Sequence, residues 1–182
     1  MCIDRNGEMM ITFVLNQEEK KQIAAEILSD FPEWFGLPES TEEYIMNSSN
    51  CPFWVSRNKY GDTEGFIALK ETSVYTCEIY VMGVKKGAQH KGIGSKLWEV
   101  FRSYAHERGY EYVQVKTVQS GNYPEYDQTN LFYQKIVFRE LEVFSTLWDA
   151  WNPCQIYVQK ISEKNENISG TVPCSHSVCD EE

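Results

Sequence analysis

The stretch Thr76-Cys-Glu-Ile-Tyr-Val-Met-Gly-Val-Lys-Lys-Gly-Ala-Gln-His-Lys-Gly-Ile-Gly-Ser-Lys-Leu97 decides the fold. Its first nine residues, TCEIYVMGV, are apolar enough for a strand covered on both faces. From Gly92 onward the apolar residues Ile93, Leu97, Trp98, Phe101, Tyr104 and Ala105 recur at helical spacing, and Gly109 ends the run. Gly92 and Gly94 lie where the strand turns into the helix. Without side chains there, successive backbone N–H groups are free to point outward. The first turn of a helix has unpaired donors and a partial positive charge, so this junction suits a phosphate or pyrophosphate. Lys85, Lys86, His90, Lys91 and Lys96 add local positive charge to an otherwise acidic chain.

Register removes two familiar phosphate motifs. A P-loop needs Gly-Lys-Ser/Thr after a four-residue spacer. Gly87 and Gly92 have the spacer, but Ile93 and Gly94 follow. The dinucleotide fingerprint needs a third glycine three residues after Gly94, and that residue is Leu97. What remains is Gln89-x-x-Gly92-x-Gly94 directly after a strand. Taken alone, this is either an ordinary glycine-rich turn or a coenzyme-binding one.

Composition bounds the answer. The chain has 182 residues, enough for one domain with a real core and short for two. A net charge of −10 argues against a general nucleic-acid binder, which needs basic surface. It suits a cationic substrate such as an amine, and equally a merely soluble protein. No apolar run reaches the length of a membrane span, and the first residues lack a signal-peptide layout. A cytoplasmic protein with free thiols is expected from these features and from six scattered cysteines. Cys174, His176 and Cys179 sit in a polar tail, and no metal is expected there or elsewhere.

The rest of the chain reads as alternating elements. Residues 9–15 form a strand, and Asn16 caps a helix to about Ser29. Residues 31–38 form an aromatic loop, and Ser40 with Glu43 reads as a capping box for a helix through Met46. Residues 52–58 and 64–72 form a hairpin around Tyr60-Gly61-Asp62. After the central strand and helix come a strand at 110–118, a loop at 119–125, a short helix at 127–135 and strands at 138–146 and 154–161. The order β-α-α-β-β-β-α-β-α-β-β predicts a mixed sheet with packed helices, α/β or α+β, in one domain over 9–161. Residues 1–8 are expected to be flexible and 162–182 disordered.

The glycine turn, the order of elements and Leu131-Phe132-Tyr133-Gln-Lys-Ile-Val137-Phe138 together resemble the GNAT superfamily of N-acetyltransferases. The resemblance covers roughly residues 9–161 and implies that fold, with acetyl-coenzyme A as co-substrate. It implies that the backbone of Gln89, His90, Lys91, Gly92, Ile93, Gly94 and Ser95 holds the pyrophosphate, the glycines leaving room for it. It implies that Met82, Gly83 and Val84 lie beside the pantetheine arm, and that Gly83 forms the bulge that splays this strand from the next. Glu78, eleven residues before Gln89, matches a general base of the family. It is the one charge in an apolar strand, sharing a face with Tyr80 and Met82, where lost hydration favours a base. An alkylammonium must lose a proton before it can attack. A strut paired to a neighbouring cation is the competing reading of Glu78. Tyr133 matches the family's tyrosine that protonates the leaving thiolate.

Two departures stand out. Val137 replaces the usual glycine, so a different backbone conformation is expected there. Tyr126 stands where the family often has a coenzyme-binding asparagine, and Asn130 is off register. On the acceptor side, Phe31, Glu33, Trp34, Phe35 and Tyr44 are candidate walls for a cationic amine. Trp148, Asp149, Trp151 and Asn152 are candidates for the opposite rim. The resemblance implies an N-acetyltransferase acting on a primary amine, with a small-molecule acceptor favoured, no metal, and no nucleic-acid or membrane partner. A homodimer is compatible with it. A peptide or protein acetyltransferase and a non-catalytic acyl-coenzyme A binding module on the same fold remain as alternatives.

Overall fold

The computed structural model describes residues 2–3, 9–32, 38–149 and 151–161. The chain forms strands β1 (Cys2–Ile3) and β2 (Met9–Phe13), helices α1 (Gln17–Leu28) and α2 (Pro38–Ser48), and strands β3 (Phe53–Asn58), β4 (Thr63–Glu71) and β5 (Thr76–Val84). Helix α3 (Ile93–Glu107), strand β6 (Tyr112–Val118), helix α4 (Pro124–Lys135) and strands β7 (Arg139–Asp149) and β8 (Asn152–Lys160) follow. The strands make one sheet in the order β1-β2-β3-β4-β5-β6-β8-β7. Among the described strands only β5 and β6 pair in parallel; parallel neighbours need a crossover connection, and α3 supplies it. The fold is the mixed α/β architecture that the pattern predicts.

Each face of the sheet carries a core. On one face, α3 buries Ile93, Leu97, Trp98, Phe101 and Ala105 against Ile67, Leu69, Ile79, Val113 and Tyr157. On the other, Ile23, Ala24, Ile27 and Leu28 of α1 pack on Phe53, Val55, Phe66 and Val81. The Asn16 side chain caps α1 by accepting from the Glu19 N–H at 2.9 Å. No helix among the described residues is long and apolar enough to cross a membrane.

Several boundaries differ from the sequence reading. Cys2–Ile3 pairs antiparallel with Met10–Ile11, where no element is predicted. Helix α2 starts at Pro38, not after Ser40, because a proline at the first helical position loses no bond and already has a helical φ. Proline 124 extends α4 three residues upstream for the same reason. Strand β7 runs to Asp149, past the predicted end at residue 146.

The decisive irregularity is in β5. Ala68 of β4 pairs with Val81 and Leu69 with Ile79, so Tyr80 is an extra, bulged residue. Strict alternation would set Glu78, Tyr80 and Met82 on one face. With the bulge, Ile79, Met82 and Val84 all pack toward α3, while Tyr80 and Val81 pack toward α1. Gly83 is therefore not the bulge. It is small because α1 crosses it: a Cβ there would lie 2.7 Å from Ile27 Cγ2. Pairing of β5 with β6 ends at Ile79–Val115, and the two strands part beyond that point.

Candidate active site

The parting of β5 and β6 opens a cleft of about 1180 Å³. Ile79–Val84 of β5 line one wall and Val115–Val118 of β6 the other. Gln89, His90 and Gly92–Ser95 close one end, and Tyr133 lies in the α4 wall. Trp148, Asp149 and Asn152 border the far side, with Phe31, Ser40 and Tyr44 near α2.

The glycine turn is built by local bonds. A single 3₁₀ turn covers Lys86–Ala88. Gln89 Nε2 donates to the Val84 carbonyl at 3.1 Å, and Lys91 Nζ donates to the Gly87 carbonyl at 2.9 Å. Gly92 is the N-cap of α3 at φ 83°, with no capping side chain. Nothing lies within 4 Å of a Cβ at Gly92, so its backbone angle is what calls for glycine. At Gly94 packing by itself excludes a side chain: a Cβ would meet Phe132 at 3.1 Å and Met82 at 3.3 Å. The N–H groups of Ile93, Gly94 and Ser95, in the first turn of α3, have no intrahelical acceptor. The basic cluster is smaller than the sequence suggests, because Lys85 is ion-paired with Glu26 of α1.

Tyr133 is 7% exposed and packed between Phe132, Phe138 and Tyr157. Its hydroxyl makes no hydrogen bond among the described residues. Burial first, and then the neighbouring Tyr44, push its pKa well above the ordinary tyrosine range. The hydroxyl therefore stays protonated at neutral pH. The turn that follows corrects the expectation for Val137. It keeps the left-handed conformation, at φ 73°, that glycine usually supplies. Phe138 N–H donates to the Tyr133 carbonyl and Val137 N–H to the Gln134 carbonyl, both at 3.0 Å. This is the two-bond Schellman ending of α4, with valine at the position that glycine favours.

Glu78 is 6% exposed. Its Oε2 accepts from Lys116 Nζ and from Gln114 Nε2, each at 2.8 Å. Both donors come from β6, and both bonds fall on one oxygen, which leaves Oε1 uncommitted among the described residues. Lys116 lines the cleft, and Glu78 lies behind it.

Several tyrosines line the cleft. Tyr44 and Tyr80 have ring centroids 5.4 Å apart, and Asn47 Nδ2 donates to the Tyr80 hydroxyl at 3.0 Å. Tyr123 and Tyr126 are 6.0 Å apart. Burial, and then nearby tyrosines, push Tyr44 and Tyr126 up to about 12. Asp149 accepts from Asn152 Nδ2, which holds its carboxyl below the usual range. Trp151 is 81% exposed and does not line the cleft. Glu33, Trp34 and Phe35 lie outside the described residues, as does the cysteine-containing tail.

Sequence reasoning missed Tyr80, Tyr123, Tyr126, Lys116 and Thr117. Tyr126 had a signal, since it stands in place of an expected asparagine. Thr117 is 4% exposed, lines the cleft, and has an Oγ1 with no partner among the described residues. Asn130 does not reach the cleft. Its Nδ2 ties α4 to β6 by donating to the Val118 carbonyl at 3.0 Å and to the Tyr126 carbonyl at 2.7 Å.

A sequence profile of the Acetyltransferase (GNAT) family matches residues 21–137. Solved structures agree on the fold. A GNAT-family protein from Desulfovibrio desulfuricans superposes with a TM-score of 0.71 at 16% identity, over 85% of this chain and 99% of its own. Ard1 from Thermoplasma volcanium gives 0.68 at 15% identity, over 86% and 99%. A GNAT acetyltransferase from Elizabethkingia anophelis, with acetyl-CoA bound, gives 0.64 at 16% identity, over 84% and 98%. No curated protein matches the sequence at a significant level. A parted β5–β6 pair, a glycine turn at its mouth and a profile match across most of the domain lead to one conclusion: the chain belongs to the GNAT acetyltransferase family.

Proposed function

We propose that the protein is an N-acetyltransferase that moves the acetyl group of acetyl-coenzyme A onto the primary amine of a small cationic molecule. The observation that carries this reading is Tyr133, a buried side chain whose hydroxyl has no partner among the described residues, in the wall of a cleft that also has the glycine turn and several tyrosines in its lining. The cleft suits the coenzyme. The first-turn N–H groups of α3 offer donors to a pyrophosphate. The orphaned Thr117 hydroxyl offers a hydrogen-bond partner to an amide of the arm. Beyond Ile79 the edge of β5 no longer pairs with β6, and a backbone N–H at Met82 or Gly83 offers a donor to an oxyanion. The bound neighbour from Elizabethkingia supports the same donor.

The coenzyme supplies the activated acetyl group. The deprotonated amine attacks the thioester carbonyl, the C–S bond breaks, Tyr133 gives its proton to the departing thiolate sulfur, and the proton shed by the new amide nitrogen returns to Tyr133. Glu78 takes the proton of the acceptor ammonium at Oε1, through a water, while Lys116 and Gln114 hold Oε2. Tyr44, Tyr80, Tyr123 and Tyr126 present π-faces and hydroxyls to the cation, and Asp149 adds a carboxylate. A cytoplasmic setting fits the free thiols of Cys51, Cys77 and Cys154.

The test is a thiol-release assay with acetyl-coenzyme A against polyamines, aminoglycosides, amino acids and peptides. Turnover is expected with a polycationic small amine. Tyr133→Phe is expected to lower kcat about 10²-fold with little change in donor affinity. Glu78→Gln is expected to lower kcat with little change in donor affinity. Full activity in Glu78→Gln would reduce Glu78 to a strut for Lys116. Tight coenzyme binding without turnover on any amine would make the protein a binding module.

A further inference from the structure

We infer that Lys116 is an internal acetyl acceptor: with acetyl-coenzyme A bound and no external amine in the cleft, the acetyl group passes to its Nζ. The inference rests on the donor and the base of the proposed function. That function needs an amine in the donor cleft within reach of Glu78, and the chain already holds one. Lys116 Nζ donates to Glu78 Oε2 at 2.8 Å. Glu78 is buried, whereas the Lys116 side chain is 30% exposed and lines the cleft.

An ion-paired lysine is often only a strut, and its surroundings set this one apart. Pairing of β5 with β6 ends at Ile79–Val115, so Lys116 is the first residue of β6 beyond the point where the strands part. Next to it, Thr117 has a buried hydroxyl without a partner among the described residues, which marks this stretch of β6 as a place for a ligand. Lys70, opposite Glu78 on β4, does not compete for the carboxylate, because its Nζ lies over the Tyr80 ring, 4.9 Å from the centroid. Lys135, the other described lysine in the cleft lining, is exposed and has no carboxylate partner among the described residues.

An ammonium cannot attack until it loses a proton, and Glu78 Oε2 is placed to take it. The neutral Nζ then attacks the thioester carbonyl, and the C–S bond breaks. Tyr133 gives its proton to the departing sulfur, and a second proton, shed by the new amide nitrogen, returns to Tyr133. Glu78 releases its own proton to water. The products are Nε-acetyl-Lys116, the free coenzyme thiol and one proton. An amide does not pass the acetyl group onward, so the product is a modified chain. It has lost the Lys116 charge, and with it the ion pair on Oε2.

The full chain incubated with acetyl-coenzyme A and no added amine tests this, read by intact mass and peptide mapping, with donor binding measured separately by calorimetry. One added acetyl group is expected, on Lys116. It is expected to form faster than on Lys135 or on any lysine of the urea-unfolded chain, at a rate independent of protein concentration. Glu78→Gln is expected to slow it at least about tenfold. An equal rate in Glu78→Gln would make the modification uncatalysed, and a rate proportional to chain concentration would make it a transfer between chains; either overturns the inference. Donor binding and turnover on an added amine, with Lys116 unmodified, overturn this inference alone. A chain that binds no coenzyme overturns the proposed function along with it.

Discussion

Val137 is the residue that departs most from what its backbone asks for. It sits at φ 73°, where a β-branched side chain crowds the main chain. The two Schellman bonds hold it there, and one of them ends on the carbonyl of Tyr133. The strain is therefore spent beside a proposed catalytic group. Val137 is 55% exposed, so its side chain contributes little packing in return. Val137→Gly is expected to raise stability by about 1 kcal/mol, seen as a higher urea midpoint at unchanged m-value. A lower midpoint would mean that the valine side chain makes contacts that outweigh the strain.

At the scale of elements, the cleft depends on how closely α1 approaches β5 and α4 approaches the start of α3. Gly83 lets Ile27 of α1 sit where a Cβ would be, and Gly94 does the same for Phe132 of α4. The two differ in what has to move. The Gly83 contact, at 2.7 Å, involves a β-branched side chain of a fully buried helix face. The Gly94 contact, at 3.1 Å, involves a half-buried ring. Gly83→Ala is expected to cost about 1–3 kcal/mol of stability, as overpacking does, and Gly94→Ala less. Denaturant unfolding of both variants measures the order, and a reversed order would show that α1 yields more easily than α4.

At the scale of the molecule, burying so many tyrosines makes stability sensitive to alkali. Tyr44 and Tyr126 titrate near 12 in the folded protein, against 10.0 for an unperturbed tyrosine, and Tyr133 is shifted the same way. Raised folded values mean that, between pH 10 and 12, the unfolded chain has lost protons that the folded chain still holds. Stability is therefore intact below about pH 10 and falls as the pH rises toward 12. Absorbance at 295 nm, followed together with circular dichroism, is expected to show these tyrosines ionising only as the chain unfolds. Smooth titration of all eleven tyrosines near pH 10 in a folded protein would contradict this.

The sequence by itself determined the order of elements from residue 9 onward, the mixed sheet and the anion-suited turn at 84–97. These rest on local signals: period-2 and period-3.6 hydrophobicity, an asparagine cap and glycines at a strand–helix junction. It also marked Glu78 as the one charge in an apolar strand, while Tyr133 was singled out only through the family resemblance. Tertiary structure alone decided what those residues face. The Tyr80 bulge is set by the pairing of Ala68 and Leu69 with β5, and no pattern within β5 reveals it. That single extra residue moves Met82 to the α3 face. Lys116 reaches Glu78 only because β6 lies parallel to β5 in register, with Gln114 opposite Glu78. The tyrosines that line the cleft come from α2, β5 and the start and middle of α4, far apart in the chain. Their convergence follows from the sheet that brings those elements together, and local sequence carries no record of it.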